Sequence, residues 1–282
     1  MTTIPCPVGL EELGPDHFAF PRAPRVYEVL LGGTETYQCD RDTALALYMA
    51  APWVMLAART NRWFTEVATD TVLRRGARQF LDLGCGLPNR PDLHHLVPRD
   101  CPVVYIDRDP GVLAHAKSRL DPGPPYATTV LAGDLLDMEK LLRAPEVTGS
   151  FDLAQPIAVT VHDVLPWNTD DTAVTDAMAA LRAWLPVGST LSITHLTAEL
   201  NPRQVSEVVS VYEHHGIGVR PRSRAEIGAF FGGFAHLGDG LAAVSRWSAH
   251  GTNVRHFTPY PASASDAPAF AGIAVKTDHS RR

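Results

Sequence analysis

The residues with the clearest chemical meaning lie in segment 80–86, which reads Phe-Leu-Asp-Leu-Gly-Cys-Gly. A short strand here would deliver Asp82, and Gly84 and Gly86 lack the Cβ atoms that keep a backbone away from a ligand. A full dinucleotide fingerprint would need a third glycine where this chain has Asn89, so the turn suits a pyrophosphate poorly. The segment therefore predicts a ligand without phosphate groups, held by Asp82, Gly84, Cys85 and Gly86. The alternative is a Gly-rich turn with no ligand.

Two acidic residues after the next apolar runs provide the parts of an adenosine site. Asp107 closes the run 102–106, 21 residues after Gly86, where Rossmann-like domains place the carboxylate that binds ribose hydroxyls. Asp134, between Gly133 and Leu135, could accept the adenine amino group, and Arg108 could stack near the adenine. The alternatives are that Asp107 and Asp134 cap local turns and that Arg108 is solvated. A phosphate-free turn beside adenosine contacts indicates S-adenosylmethionine as the cofactor, with S-adenosylhomocysteine as the product.

Three residues at the ends of later apolar runs are the candidate catalytic groups. His162 and Asp163 follow run 157–161, and His195 follows run 190–194. A histidine there could deprotonate an acceptor hydroxyl or amine, because its ordinary pKa of about 6.5 suits a general base. His162 could instead contact adenine as a further cofactor residue or cap a turn. The sulfonium of the cofactor is already activated for methyl transfer, so proximity alone could provide most of the rate acceleration without any base.

The elements that must position these residues alternate along the chain. Five short apolar runs, the first at 79–83 and the fifth at 190–194, are separated by helical patterns, which predicts a parallel sheet with helices on both faces. Ligands bind such sheets at the carboxyl ends of the strands, where the residues above fall. Segments 234–237 and 270–275 are expected to form a closing antiparallel hairpin. We predict a tail and helical lid over 1–76 and a cofactor-binding catalytic domain over 77–282.

Several motifs along the chain carry a resemblance to a known family. They are Arg25-Val26-Tyr27, Leu30-Leu31-Gly32-Gly33, Ala51-Pro52-Trp53, Asn61-Arg62, Leu81-Asp82-Leu83-Gly84-Cys85-Gly86-Leu87-Pro88, Val104-Tyr105-Ile106-Asp107-Arg108 and Ser245-Arg246-Trp247. With them the chain resembles the class I S-adenosylmethionine-dependent methyltransferases and, more narrowly, the bacterial S-adenosyl methyltransferase family once classified as a domain of unknown function. The resemblance implies an α/β, Rossmann-like fold with a seven-stranded, mostly parallel sheet. It also implies that N-terminal helices cover the cofactor, which makes Tyr27, Gly32, Gly33 and Arg62 candidate lid or cofactor residues.

The chain departs from the family pattern after the fourth strand. Pro166 stands where the family has a histidine, and His162-Asp163 appears a turn earlier. Three functions therefore remain open. The first is a small-molecule methyltransferase, acting on oxygen or nitrogen, of the kind found in secondary metabolism. The others are an enzyme that uses the same fold for cyclisation or rearrangement, and a non-catalytic subunit that binds S-adenosylmethionine.

The composition excludes several classes of partner. The chain has 282 residues, is 45% hydrophobic and carries a net charge of -6 with no basic run, which argues against a nucleic-acid partner. Its apolar stretches are shorter than the ~18 residues of a membrane span, and its first residues do not form a signal peptide. The four cysteines form no CxxC pair, no histidine spacing predicts a metal site, and we expect a cytoplasmic protein. The acceptor is expected to be a small molecule, and a homodimer or partner protein is left open.

Overall fold

The computed structural model describes residues 13–120, 127–247 and 263–278. Its strands are β1 (Phe80–Leu83), β2 (Val103–Asp107), β3 (Thr128–Ala132), β4 (Ala158–His162), β5 (Thr190–Leu196), β6 (Ala235–His236), β7 (Ala242–Ala243) and β8 (Ala269–Val275). They form one sheet in the order β3-β2-β1-β4-β5-β8-β6, with β7 also paired to β8. Strands β1 to β5 run parallel, and β8 runs antiparallel to β5. The predicted parallel sheet with an antiparallel closing segment is confirmed.

The helices follow the predicted alternation with the strands. They are α1 (Pro15–Ala19), α2 (Ala23–Leu31), α3 (Gln38–Ala50), α4 (Val54–Arg74), α5 (Leu93–Leu96), α6 (Pro110–Arg119), α7 (Met138–Leu142), α8 (Pro145–Thr148), α9 (Asp171–Trp184), α10 (Pro202–His214) and α11 (Arg224–Ala229). None of the described helices is long and apolar enough to cross a membrane.

The alternation of side chains along the strands explains why helices cover both faces of the sheet. Leu81 and Leu83 point into a core shared with α7, α9 and α11. The preceding residue, Phe80, points to the opposite face of the sheet, into a core built with α4, α5 and α6. Because both faces of β1 are apolar, the strand is stable only when each face is buried, as in other parallel sheets.

The predicted count of seven strands is wrong, since the described residues form eight. The sheet has seven positions across its width, but the outer edge beside β8 is divided into β6 and β7. β6 pairs with Ala274 and Val275, whereas β7 pairs with Phe270 and Ala271. Gly238 and Gly240 lie between them with φ of +51° and +69°, a backbone that cannot continue a ladder. One predicted edge strand therefore becomes two.

A third apolar core lies over the carboxyl ends of the strands. It joins Val26 of α2, Leu47 of α3 and Val54 of α4 to Val208 and Tyr212 of α10. The N-terminal helices therefore pack on a helix from the C-terminal half, which the sequence patterns did not indicate. The lid role of 1–76 and the boundary at 77 stay predictions.

Candidate active site

A cavity of about 650 Å³ opens at the carboxyl ends of β1, β2, β3 and β4, beneath α2 and α4. Its size lies within the range of about 300–1,000 Å³ typical of small-molecule sites. Thirteen of the residues predicted from the sequence line it, namely Tyr27, Arg62, Asp82, Gly84, Cys85, Gly86, Asp107, Arg108, Gly133, Asp134, Leu135, His162 and Asp163. The parallel sheet brings eleven of them together because its strand ends share one edge, and Tyr27 and Arg62 reach the cavity from α2 and α4.

The glycine turn after β1 is shaped by close approach and by positive φ angles. Gly84 and Gly86 have φ of +71° and +66°. A Cβ on Gly84 would lie 2.6 Å from Cγ2 of Val164, whereas a Cβ on Gly86 would meet no atom within 4 Å. The backbone N–H groups of Gly84 and Cys85 both donate to the carbonyl oxygen of Ile106, at 2.7 and 3.1 Å. The turn is therefore fixed to β2, and Gly86 faces open space where a ligand could approach.

Asp107 connects this turn to the segment after β2. Its Oδ2 accepts the backbone N–H of Gly86 at 3.0 Å, and its Oδ1 accepts that of Asp109 at 2.9 Å. Burial raises the pKa of Asp107, and these two hydrogen bonds oppose the rise. Asp109, not Asp107, caps α6, accepting from Gly111 and Val112. Asp107 therefore lines the cavity as a carboxylate that does not cap the helix, and a carboxylate can accept hydrogen bonds from ribose hydroxyls.

Arg108 crosses the cavity mouth between three loops. Its Nη1 donates to Asp134 Oδ2 and to Asn168 Oδ1, each at 3.1 Å, and its Nη2 lies 3.4 Å from the carbonyl oxygen of Trp167. Asp134 Oδ1 accepts the backbone N–H of Leu136 at 3.0 Å. Asp134 thus caps a turn, as the alternative interpretation held, and still lines the cavity. Arg108 is half-exposed and ion-paired rather than freely solvated.

Asp82 and Arg62 define the inner end of the cavity. Asp82 Oδ1 accepts the hydroxyl of Thr160 at 2.7 Å, and burial raises the pKa of Asp82 to about 6. Arg62 Nη2 donates to the carbonyl oxygens of Asn89 and Pro91 and therefore holds the loop that follows the glycine turn. Burial also raises the pKa of the Cys85 thiol, which keeps it protonated. A carboxylate beside a guanidinium suits the ammonium and carboxylate of a methionine group.

His162 is held between two hydroxyl groups and is a weak base. Its Nδ1 lies 2.9 Å from Thr65 Oγ1, and its Nε2 lies 2.9 Å from Ser192 Oγ. Ser192 also donates to the carbonyl oxygen of Val159 at 3.3 Å, so Nε2–H donates to Ser192 and Nδ1 accepts from Thr65. Burial lowers the pKa of His162 to about 3. With both nitrogens engaged, the imidazole has no lone pair for an acceptor proton.

Asp163 differs from the adjacent His162 in its backbone conformation and in the direction of its pKa shift. It has a φ of +56°, and it alone among the described non-glycine residues has a positive φ. Its N–H donates to Thr194 at 3.1 Å, and its carbonyl oxygen accepts the indole N–H of Trp167 at 2.6 Å. Burial raises the pKa of its side chain to about 7. Left-handed backbone at a non-glycine residue is uncommon and is often found at functional sites.

Three predicted residues do not reach the cavity. His195 is buried in β5, where its Nδ1–H donates to Leu196 O at 2.7 Å and its Nε2 accepts from Arg222 at 3.0 Å. Gly32 ends α2 with a φ of +83°, and a Cβ on Gly33 would lie 1.7 Å from Oε1 of Glu28. These residues shape the fold around the site, and none of them touches the cavity wall.

Several cavity residues escaped the sequence analysis. Glu28, Asn61 and Thr65 come from α2 and α4, Asn168 follows β4, and segment 216–218 comes from beyond α10. The Gly216-Ile217-Gly218 pattern is the only local signal among them, since it marks a turn. Trp167 also lines the cavity and packs edge-to-face on Tyr212, with their ring centroids 5.1 Å apart. Among the described residues, no group of histidine, cysteine and acidic side chains could hold a metal ion.

Comparisons with known proteins agree with this geometry. A sequence profile described as S-adenosyl methyltransferase matches residues 17–277. The fold is similar to that of a DUF574 family protein from Streptomyces avermitilis MA-4680, with a TM-score of 0.82 and 29% identity over 92% of this chain and 98% of that chain. It is also similar to a protein from Thermobifida fusca YX described as a proposed methyltransferase, with a TM-score of 0.83 and 30% identity over 94% of this chain and 98% of that chain. No curated protein matches the chain significantly.

The profile match covers nearly the whole described chain, and the cavity contains the carboxylates and the open glycine turn that the cofactor needs. The chain therefore belongs to the S-adenosyl methyltransferase family and is a methyltransferase that depends on S-adenosylmethionine.

Proposed function

We propose that the protein transfers the methyl group of S-adenosylmethionine to a small molecule bound in the same cavity. The observation that carries this proposal is the continuity of the cavity. One space of about 650 Å³ contains the turn at Asp82–Gly86 with Asp107 and, at its other end, Tyr27, Asp163 and Trp167. A donor and an acceptor could therefore meet inside one protein-walled space, where positioning alone accelerates the reaction strongly.

The cofactor end would use groups whose chemistry matches each part of S-adenosylmethionine. The Asp107 oxygens would accept the ribose hydroxyls, and Asp134 and Leu135 would contact the adenine. Asp82 and Arg62 would hold the charged groups of the methionine part, and Gly86 would let the backbone approach it closely. When bound, S-adenosylmethionine supplies a methyl group attached to a positively charged sulfur, and the sulfur keeps the C–S bonding electrons when the methyl group is transferred.

The acceptor end would orient the acceptor and receive its proton. Among the three candidates named from the sequence, Asp163 fits this role best, because His162 has both nitrogens engaged and His195 lies outside the cavity. The remaining polar groups at this end are satisfied within the protein. Tyr27 donates to the carbonyl oxygen of Ala58 at 3.0 Å and accepts from Asn61 Nδ2 at 2.9 Å.

Calorimetry with S-adenosylhomocysteine tests the cofactor assignment. The wild-type protein should bind it, and Asp107→Asn should weaken binding about 10- to 100-fold, since a charged acceptor contributes about 1.5–3 kcal/mol. Asp176→Asn is the matched control, because Asp176 is exposed on α9 and does not line the cavity. Thermal unfolding of each variant would show that Asp107→Asn is folded. Equal affinities for both variants would contradict the assignment.

Isotope labelling tests the transfer itself. The protein is incubated with S-adenosylmethionine carrying a ¹³C methyl group and an unfractionated extract of its source cells, and mass spectrometry follows the label in small molecules and in macromolecules. A labelled small molecule with release of S-adenosylhomocysteine is expected. A converted but unlabelled small molecule would favour rearrangement instead, and label found only in macromolecules would remove the small-molecule acceptor.

A further inference from the structure

The acceptor end of the cavity contains one polar group that the protein does not satisfy. Among the described residues, no side chain or backbone group forms a hydrogen bond or ion pair with the Asp163 carboxylate. The backbone on either side of this side chain is nevertheless fixed, by the contacts to Thr194 and Trp167 at 3.1 and 2.6 Å. The Asp163 side chain is partly buried and lines the cavity, so a fixed carboxylate without a protein partner is placed to bind a ligand that supplies one.

The charges around the cavity indicate the sign of that partner. Its lining includes six carboxylates and three guanidinium groups, which are Glu28, Asp82, Asp107, Asp109, Asp134 and Asp163 against Arg22, Arg62 and Arg108. Each guanidinium already faces an acid, with Arg22 3.7 Å from Asp109, Arg108 3.1 Å from Asp134 and Arg62 3.6 Å from Asp92. The cavity therefore has an excess of negative charge, and an anionic acceptor would be repelled from Asp163.

The walls near Asp163 favour a cation attached to a flat apolar group. Tyr27 and Tyr212 lie close enough that the charge on Asp163 raises the pKa of both hydroxyls, after the larger effect of burial. The Trp167 ring and Ile217 also line this part of the cavity. Aromatic faces attract ammonium groups, and they also pack against planar apolar bodies.

From these observations, and resting on the proposed methyl transfer, we propose that the acceptor is a small aryl-alkyl amine whose ammonium group binds the Asp163 carboxylate and gives a proton to it. In this step an N–H bond breaks, an O–H bond forms on the carboxylate, and the electron pair stays on nitrogen, which becomes the nucleophile. After transfer, the protonated carboxyl loses its proton to water at the cavity mouth.

The titration behaviour of the site supports this step. Burial raises the pKa of Asp163 to about 7, so the carboxylate is a stronger base than an ordinary aspartate and is still ionised in part at neutral pH. The titratable groups near it are Tyr27 from α2 and Tyr212 from α10, on which its charge acts, and the adjacent His162 at the end of β4. Burial keeps the tyrosines protonated and His162 neutral, so none of them competes for the proton.

Binding to the complex with S-adenosylhomocysteine, which cannot turn over, tests the proposal without an activity measurement. The probes are benzylamine, phenethylamine and tryptamine, with 2-phenylethanol and phenylacetate as the neutral and anionic counterparts of phenethylamine. NMR titration should show that phenethylamine binds the wild-type complex at least tenfold more tightly than 2-phenylethanol, with phenylacetate the weakest. Asp163→Asn should remove the preference, and Asp163→Glu should restore part of it.

The Asp163 variants distinguish a role in binding the amine from a role in binding the sulfonium of the cofactor. Asn tolerates a left-handed backbone well, so Asp163→Asn should retain the fold and the wild-type affinity for S-adenosylhomocysteine. Equal binding of amine and alcohol, no binding of any amine, or a preference that survives Asp163→Asn would each overturn the proposal. If the substitution instead weakens S-adenosylmethionine relative to S-adenosylhomocysteine, Asp163 serves the sulfonium, which also overturns it. Failure of the wild-type protein to bind S-adenosylhomocysteine would count against the methyl-transfer function itself.

Discussion

Replacement of Gly84 by alanine should both destabilise the fold and disturb the cofactor turn. The added Cβ would lie 2.6 and 2.7 Å from the two Cγ atoms of Val164, distances that real Cβ atoms essentially never show. A left-handed backbone costs an alanine roughly 1–2 kcal/mol, and overpacking costs about 1–3 kcal/mol more. Gly84→Ala should therefore lower the free energy of unfolding by about 2–5 kcal/mol.

Two matched variants separate these contributions. Gly86→Ala has a similar positive φ but no atom within 4 Å of its Cβ, so it should cost only the backbone part, about 1–2 kcal/mol. Val164→Ala removes both clashing atoms and leaves Val164 Cβ at 3.2 Å. The double variant with Gly84→Ala should therefore recover stability, with a favourable coupling energy of about 1–3 kcal/mol.

Urea unfolding of the four proteins gives the stabilities, and calorimetry with S-adenosylhomocysteine shows whether the turn still binds. Gly86→Ala should lose affinity without a large loss of stability, since its methyl group occupies ligand space. A coupling energy below about 0.5 kcal/mol between positions 84 and 164 would refute the packing argument. So would equal destabilisation by the two alanines.

Three further predictions concern residues around the site. Burial raises the pKa of Asp163 from 3.8 to about 7, so ionisation of this carboxyl disfavours the fold. The free energy of unfolding should therefore fall as the pH rises between these two values, by at most about 4 kcal/mol. Urea unfolding should show that Asp163→Asn stabilises the protein more at pH 8 than at pH 4. Arg222→Lys should lower the free energy of unfolding by about 2–4 kcal/mol, because the Arg222 guanidinium binds two loop carbonyls, an imidazole and a carboxylate at once. The same substitution at the exposed Arg203 should leave the free energy of unfolding unchanged. Gly32→Ala should cost about 1–2 kcal/mol by thermal unfolding yet leave the affinity for S-adenosylhomocysteine unchanged, since Gly32 ends α2 outside the cavity.

The cofactor end was predictable because its signals are local. A strand must precede the turn at Asp82–Gly86, two glycines must follow, and Asp107 must close the next strand, so the chain order alone places these groups at one edge. The capping box between Ser223 and Glu226 at the start of α11 is another local arrangement of this kind. In each case the interacting groups lie within one turn or at the ends of adjacent strands.

The acceptor end was less predictable because its parts come from distant segments. Asn61 and segment 216–218 line one cavity only when the N-terminal helices pack on α10, and no local pattern records that packing. His195 was misplaced for a related reason. Antiparallel pairing with β8 extends β5 to Leu196, so His195 pairs with Phe270 inside the sheet instead of lying beyond its edge.

The contrast between His162 and Asp163 shows what a strand-end rule can and cannot decide. Both residues were named as catalytic candidates because both follow the same apolar run. His162 is the last residue of β4, so the pleat directs it between α4 and β5, where Thr65 and Ser192 engage both nitrogens. Asp163 is one residue later, and its positive φ turns the chain away from the strand direction. The difference in basicity follows from that change of backbone direction, which residue types alone do not encode. We therefore propose that a general acid–base role at this site belongs to Asp163, which leaves the sheet, and that His162 fixes the end of the strand through Thr65 and Ser192.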